Sequence, residues 1–562
     1  MSHKITSLTN KVWNIQGGII SESKDIVEIL ASNRGITDLE SFKNVSIKNS
    51  MPDPLIFIDM TRAVNRIVKS IKNGQKIAIL GDYDVDGVAS VSIFIKFLEH
   101  IGADYAYYIP SRMDDGYGLN IPNIEKHREC LIIAVDCGSS SSEELKYAKD
   151  NNIEVVVLDH HRMSSIPDDA IIVNPHRPDE KCGYRYLCAA GLVFLCVMGI
   201  NDQLKKDGFY SEKEEPDIAD YLDLVALATV CDVVELIELN RAFVAAGIKI
   251  IRQRKNFGID ALLSLAKGNV DVNAEVISFV LGPKLNAAGR MASADLSVQL
   301  LTTQNPIKAR KAALQLDELN KKRQAMEQEM MTEAISSVLE DQNFICVYNP
   351  DWHVGITGII AGRLREKYNR PSIVISCDSQ KKGKASCRSV DGIDISAVIK
   401  MCVDQGIITS GGGHSMAGGF SIDVSRINDL LDFLPSAIKY KPGPPELYAD
   451  CAVPLSLVSA DFVKSISVLE PFGMGNRYPK FIISNIKIVS AKVVGENHIA
   501  FTISNDEEKF LRGISFRSLN TPLGDILFNE TSFINVLGTL AISSWNNQEY
   551  VNFQLEDVSP CF

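Results

Sequence analysis

The stretch Lys76-Ile77-Ala78-Ile79-Leu80-Gly81-Asp82-Tyr83-Asp84-Val85-Asp86-Gly87 decides how this chain reads. An apolar run of strand length ends in three carboxylates at alternate positions, then a glycine. Carboxylates this close repel one another unless cations neutralise them. An EF-hand loop opens with the same Asp-x-Asp-x-Asp-Gly pattern, but it follows a helix and needs a Glu six residues after the Gly. Here a strand precedes it and Ile93 stands at that position, which argues against a calcium loop. The plain alternative is a solvated acidic turn at the surface.

Further apolar runs of strand length follow at Leu131–Val135, Glu154–Leu158 and Ile171–Val173, separated by helical patterns. That alternation predicts an α/β fold on a parallel sheet. The first of these runs is followed by Asp136 and the second by Asp159-His160-His161. Ligands of open parallel sheets bind beyond the carboxyl ends of the strands, so the acidic strand ends point to a site. Adjacent histidines point in different directions, and only one of the pair suits a given ion. A helix over 217–230 then delivers Asp232, a carboxylate with little structural reason to follow an apolar run unpaired. Mixed carboxylate and imidazole donors suit Mn²⁺, or a Mg²⁺/Mn²⁺ pair, and their number suggests a two-metal site.

Downstream, residues 307–340 carry apolar side chains at helical spacing and predict one long connecting helix. A second α/β region follows, with strands near 344–348 and 372–376 and a helix over 358–368. The Pro-rich stretch at 441–446 reads as a linker. Short alternating runs beyond it predict a small β-barrel.

The chain has 562 residues and a net charge of −12, which excludes a protein coating nucleic acid by bulk charge. The charge is uneven. Residues 201–240 hold 3 basic and 11 acidic side chains, whereas 241–330 hold 14 and 8, and 363–400 hold 9 and 4. A polyanion could lie along the two basic segments. The apolar run 187–200 is too short to span a bilayer and reads as a buried helix. The N-terminal residues lack a basic-then-apolar export pattern. The 12 cysteines form no CxxC pair and read as free thiols of a reducing compartment. A cytoplasmic enzyme is expected.

The order Asp-x-Asp-x-Asp-Gly, strand-end Asp136, Asp159-His160-His161 and helix-end Asp232 resembles the DHH phosphoesterase superfamily. Gly411-Gly412-Gly413-His414-Ser415-Met416-Ala417-Gly418-Gly419 resembles the substrate-holding domain associated with it. The likeness extends through Ser111-Arg112, Gly116-Tyr117-Gly118, Pro283 to Arg290, Trp352-His353 to Gly358-Ile359, Arg388-Ser389, and Pro471 to Asn476. From residue 50 onward the chain is similar to the bacterial 5′→3′ single-strand DNA exonucleases of that superfamily.

The resemblance implies an N-terminal segment (1–49), a DHH catalytic domain (50–305), a connecting helix (306–341), a DHH-associated domain (342–441) and an oligonucleotide-binding barrel (447–562). It implies that Asp82, Asp84, Asp86, Asp136, His160 and Asp232 hold two divalent cations, Mn²⁺ or Mg²⁺. Asp84, Asp136, His160 and His161 would carry the catalysis. His161 would contact the scissile phosphate or protonate the leaving oxygen, or else orient His160 or Asp136. Some members carry a His two residues before the first motif Asp, where this chain has Leu80. Arg112, Asn286, Arg290, Ser386, Arg388, Gly412, Gly413 and His414 would hold DNA phosphates, arginine through its planar fork and a glycine-rich turn through a nest of N–H groups. Aromatics such as Phe501, Trp545, Tyr550 and Phe553 could stack on bases. Implied partners are single-stranded DNA, a single-strand-binding protein and a helicase; the chain would be a monomer without membrane contact. Two rivals remain. One is a superfamily phosphoesterase for short oligonucleotides, which needs no barrel, and the other a non-catalytic DNA-binding scaffold, which would bind no metal.

Overall fold

The computed structural model describes residues 3–561 except 19, 21–24, 112–117, 164, 169, 267–269, 340, 379–381, 442, 507–508 and 546–547. The chain divides into two compact units, Ser46–Pro442 with Gly473–Gly475, and Met1–Val45 with Gly443–Phe472 and Asn476–Phe562.

The first unit is built on a sheet of five strands: β1 (Ile77–Gly81), β2 (Tyr105–Tyr108), β3 (Leu131–Val135), β4 (Val155–Leu158) and β5 (Ile171–Val173). Their order is β2-β1-β3-β4-β5 and every pairing is parallel. All residues of β1 and β3 are buried. That explains why these strands read as continuous apolar runs: both faces of a parallel sheet are covered. Helix α1 (Val85–Ile101) starts directly after the motif and stops at Gly102, whose φ of 72° suits a glycine cap. Helix α2 (Ala189–Lys206) is the buried helix expected from the apolar run. Helix α3 (Leu222–Cys231) ends one residue before Asp232.

Helix α4 (Gly282–Met291) precedes the long helix α5 (Pro306–Ser336), which Asn305 caps and Pro306 opens. At 1.5 Å per residue α5 is about 45 Å long. A second five-stranded sheet comprises β6 (Ile345–Tyr348), β7 (Ser372–Cys377), β8 (Gly383–Arg388), β9 (Ser410–His414) and β10 (Ala417–Ile422), in the order β9-β10-β8-β7-β6. Helix α6 (Val354–Tyr368) follows β6.

The other unit is a closed barrel. Strands Phe481–Val494, His498–Ser504, Phe510–Ser515, Gln548–Pro560 and Ile534–Trp545 pair in sequence, and the last returns to the first. The N-terminal residues belong to this unit. Val12–Ile15 lies between His3–Thr6 and Glu446–Ala449, and Trp13, fully buried, donates from Nε1 to Asp557 at 2.7 Å. All 12 cysteines are free thiols. No helix among the described residues is long and apolar enough to cross a membrane.

Candidate metal centre and phosphate pocket

The carboxylates converge because each follows a strand, caps a helix or lies in a helix's first turn at one edge of the first sheet. Asp84 caps α1, its Oδ1 accepting from the N–H groups of Asp86 (3.0 Å) and Gly87 (3.2 Å). Gly87 is required there: a Cβ would lie 2.4 Å from the Asp82 carbonyl oxygen. Asp86 is 1% exposed, and its two oxygens accept from Ala189 (2.7 Å) and Ala190 (2.8 Å) at the start of α2. Asp136 adopts φ of 60°, an uncommon backbone for a non-glycine residue and of the kind that clusters at functional sites.

His160 is the hub. Its Nε2 lies 3.3 Å from Asp136, 3.6 Å from Asp86 and 3.7 Å from Asp232. Three donor groups could each hold an ion: Asp82 with Asp84 and Asp136, Asp86 with His160 and Asp232, and Asp136 with His160 and His161. The shared residues Asp136 and His160 join the three groups into one centre. Burial, then the charges of neighbouring carboxylates, pushes Asp136 well above the usual carboxylate range and Asp232 up to about 9. Burial also raises Asp86. So much negative charge in so dry a place fits divalent cations, which replace protons on such ligands. Leu80 lies in the core, so Asp82 is the motif's first candidate ligand.

Asp159 organises the histidines. Its Oδ1 accepts from the backbone N–H groups of His160 (2.8 Å) and His161 (3.1 Å) and from His161 Nδ1 (2.8 Å), while Oδ2 accepts from Ser139 (3.0 Å). Burial opposes the charged form of Asp159, but the His161 bond and charge outweigh it and lower its pKa. Burial likewise opposes charging of His161, yet Asp159 raises it to about 9.

The expected phosphate ligands gather at the first turn of α6. Arg290 donates to the Gly355 carbonyl at 3.1 Å, and Ser386 Oγ lies 2.9 Å from Thr357 Oγ1. A Cβ on Gly358 would lie 3.4 Å from an Arg388 guanidinium nitrogen and 3.5 Å from Ser386 Oγ. Asn286 is half-buried on α4. Gly412 and Gly413 differ from expectation: they lie in β9, paired with Gly419 and Gly418, and not in a turn. An extended strand turns successive N–H groups to opposite sides, so no nest forms. As the edge strand, β9 instead presents alternate N–H groups away from β10. His414 ends β9, where partial desolvation and the charges of His161, Arg162 and His160 lower its pKa, so it stands within electrostatic reach of the metal-centre histidines. Arg112 lies outside the described residues.

Sequence reading missed three basic groups. His176 feels the charges of His160, Arg162 and Arg185 and hydrogen-bonds the Arg185 main chain. Arg162 and Arg185 are exposed beside it. The position of Arg162, directly after His161, was the available signal.

A parallel sheet with acidic and histidine side chains clustered at its carboxyl edge, joined to a second domain bearing arginines and glycines, defines a DHH-type phosphoesterase. Three family models agree: "DHH family, N-terminal domain" over 76–229, "DHHA1 domain" over 341–439 and "RecJ OB domain" over 449–557. The single-stranded-DNA-specific exonuclease RecJ of Haemophilus influenzae is 33% identical over 475 residues, 80% of this chain and 81% of that protein. The chain belongs to the RecJ family. RecJ of Bacillus subtilis is 31% identical over 90% of this chain, which spans 64% of that longer relative. The crystal structure of RecJ with Mn²⁺ from Thermus thermophilus matches with a TM-score of 0.79 and 25% identity, covering 97% of this chain and 79% of that one. An Mg²⁺ complex from the same organism also matches, with a TM-score of 0.74, 24% identity and 98% and 78% coverage.

Proposed function

We propose that this protein removes 5′-mononucleotides from the 5′ end of single-stranded DNA, with Mn²⁺ or Mg²⁺, in DNA repair and recombination. The observation that carries the reading is His160 Nε2 standing within 3.7 Å of three carboxylates on a sheet edge faced by His414 of the second domain.

Asp82, Asp84, Asp86, Asp136, His160 and Asp232 are the proposed metal ligands. Two divalent cations held there would neutralise a phosphodiester and activate a water for attack. The chain's own residues do the rest. Asp86 is held by two N–H groups of α2, so its carboxylate enters the site already oriented. Asp159 fixes the His161 ring through Nδ1, and its charge favours the protonated ring. Nε2, on the opposite edge, is then suited to donate to the scissile phosphate or the leaving oxygen. Arg290, Ser386 and Arg388 at the start of α6, with β9 and His414, hold the terminal phosphate, where helix N–H groups favour an anion. Arg112 and Asn286 complete this set.

In this reading residues 50–305 carry the chemistry, 342–441 the terminal phosphate and 447–562 the trailing strand. The work is placed in the cytoplasm, by a monomer, with a single-strand-binding protein and a helicase as partners.

The test is digestion of matched single-stranded and blunt double-stranded DNA, labelled at either end, with Mn²⁺, Mg²⁺ or EDTA. Mononucleotides should come first from the 5′ end of the single strand and only with metal. Release from the 3′ end would overturn the polarity. Cleavage confined to dinucleotides would favour a small-substrate phosphoesterase.

A further inference from the structure

Helix α4 does not begin cleanly. A short helical turn, Ala274–Val276, runs through a π-helical turn, Ile277–Leu281, into α4. Such π turns occur often at functional sites. This one is firmly anchored, because Ile277, Leu281 and Leu285 are at most 2% exposed. Phe279, in its middle, is 73% exposed. A phenyl ring so exposed on this turn is not a loose surface residue, since Ile277 and Leu281, two residues to either side, are core.

Its position follows from two glycines. A Cβ on Gly282 would lie 2.6 Å from Cys231 Sγ, and one on Gly289 would lie 2.5 Å from the Tyr83 carbonyl oxygen. The first contact adjoins Asp232, and the second falls between Asp82 and Asp84. Seven residues apart, the two glycines share one side of the helix, which therefore lies along both ligand-bearing loops. Asn286 and Arg290, four residues apart, share the adjoining side, and the π turn that bears Phe279 leads directly into this helix. Asn286 and Arg290 are among the residues proposed to hold phosphates.

A second exposed apolar group stands on the neighbouring segment. Val233 follows Asp232, is 61% exposed, and adopts φ of 59°. A β-branched residue in that region is a genuine outlier. Cys231 Sγ approaches the Ile277 carbonyl at 3.9 Å, and Val233 and Phe279 each lie two residues beyond that contact.

We infer that Phe279, flanked by Val233, is a stacking platform for an unpaired nucleobase of the strand entering the metal centre. The ligand class is a nucleobase because polar groups of the following helix, Asn286 and Arg290, suit the phosphates between which bases project. Stacking on a single ring face tolerates every base and requires that the base be unpaired. The platform would thus help the site discriminate against duplex. It rests on the exonuclease reading and specifies one subsite of it.

The test compares wild type, Phe279→Ala and Phe279→Trp on single strands carrying one abasic nucleotide at successive positions from the 5′ end. With intact DNA, Phe279→Ala should raise KM about 5- to 100-fold. Phe279→Trp should restore it, and the melting temperature and Mn²⁺ affinity should not change. Wild type should show a KM penalty at one abasic position, and Phe279→Ala should lack that penalty. Wild-type cleavage with an unchanged KM or an unchanged abasic profile in Phe279→Ala would overturn the platform alone. Failure of wild type to cleave any strand would overturn the exonuclease reading and the platform with it.

Discussion

Asp86 accepts the backbone N–H of Ala189 at 2.7 Å, at the first residue of α2, while its other oxygen accepts from Ala190. Both oxygens are thus held by one helix end before any ion binds. An amide cannot imitate this, since its NH₂ group would face one of the donors. Asp86→Asn should therefore lose the rise in melting temperature that Mn²⁺ gives wild type, and cleavage should fall by more than about 100-fold. Thermal melts in EDTA and in Mn²⁺, beside a cleavage assay, check both. An Asp86→Asn protein still stabilised by Mn²⁺ would remove Asp86 from the ligand set.

Asp159 is buried, and it accepts hydrogen bonds from Ser139, His160 and His161, none of them a carboxylate it must share an ion with. Its role is to orient. Asp159→Asn should lower kcat and Mn²⁺ affinity each by about 10- to 100-fold, while KM for a long single strand stays close to wild type. A loss confined to KM would contradict this, because the ring it orients belongs to the proposed catalytic set and not to the proposed arginine set. Steady-state kinetics over a Mn²⁺ titration separates the two outcomes.

Most of the candidate metal centre was legible because its residues end apolar runs. A strand can be read from continuous burial, and the residue after it then sits at the sheet's carboxyl edge, as Asp82, Asp136 and Asp159 do. Residues whose role depends on tertiary neighbours were opaque. Nothing local marks Arg185 as a neighbour of His176, and nothing in Gly411-Gly412-Gly413 distinguishes an edge strand from a turn, since glycine tolerates both. Phe501 and Phe553 were candidate stacking residues, yet they are core, at 3% and 0% exposure. Alternation along a barrel strand tells which residues share a face, but not which face is inside.

Glu327 on α5 is 2% exposed and meets two arginines, Arg323 of the same helix at 2.5 Å and Arg363 of α6. The trio ties the long helix to the helix whose first turn adjoins Arg290, Ser386 and Arg388. Breaking a buried ion pair by removing one partner costs about 3–5 kcal/mol, and Glu327 is the partner that both arginines share. Glu327→Met strands the nearly buried Arg323, whereas Arg323→Ala leaves Glu327 its second arginine, so Glu327→Met should lower the melting temperature more. If Arg323→Ala proves the more damaging in thermal melts, the carboxylate depends on Arg323 alone.

The barrel's outward stripe is set by register. Along Phe510–Ser515, Leu511 and Gly513 are buried while Phe510 and Arg512 are exposed. Arg512 pairs with Asn552 on the neighbouring strand, and Tyr550, two residues away, shares that strand face. Phe510 is 59% and Tyr550 39% exposed, so neither supports the core. An aromatic, a guanidinium and a second aromatic on one face suit a single strand, with rings against bases and the cation on the backbone. Phe510→Ala and Tyr550→Ala should each weaken binding of a long oligonucleotide by about 1–3 kcal/mol and leave the melting temperature unchanged. Arg512→Ala should weaken it too, and should flatten the dependence of affinity on salt, because one fewer cation meets a phosphate. Cleavage of strands too short to reach the barrel should be unaffected by all three. Fluorescence anisotropy at several salt concentrations tests the binding, and a length series in the cleavage assay tests the separation; equal losses on short and long strands would place these side chains in the folding of the barrel and not on its DNA-binding face.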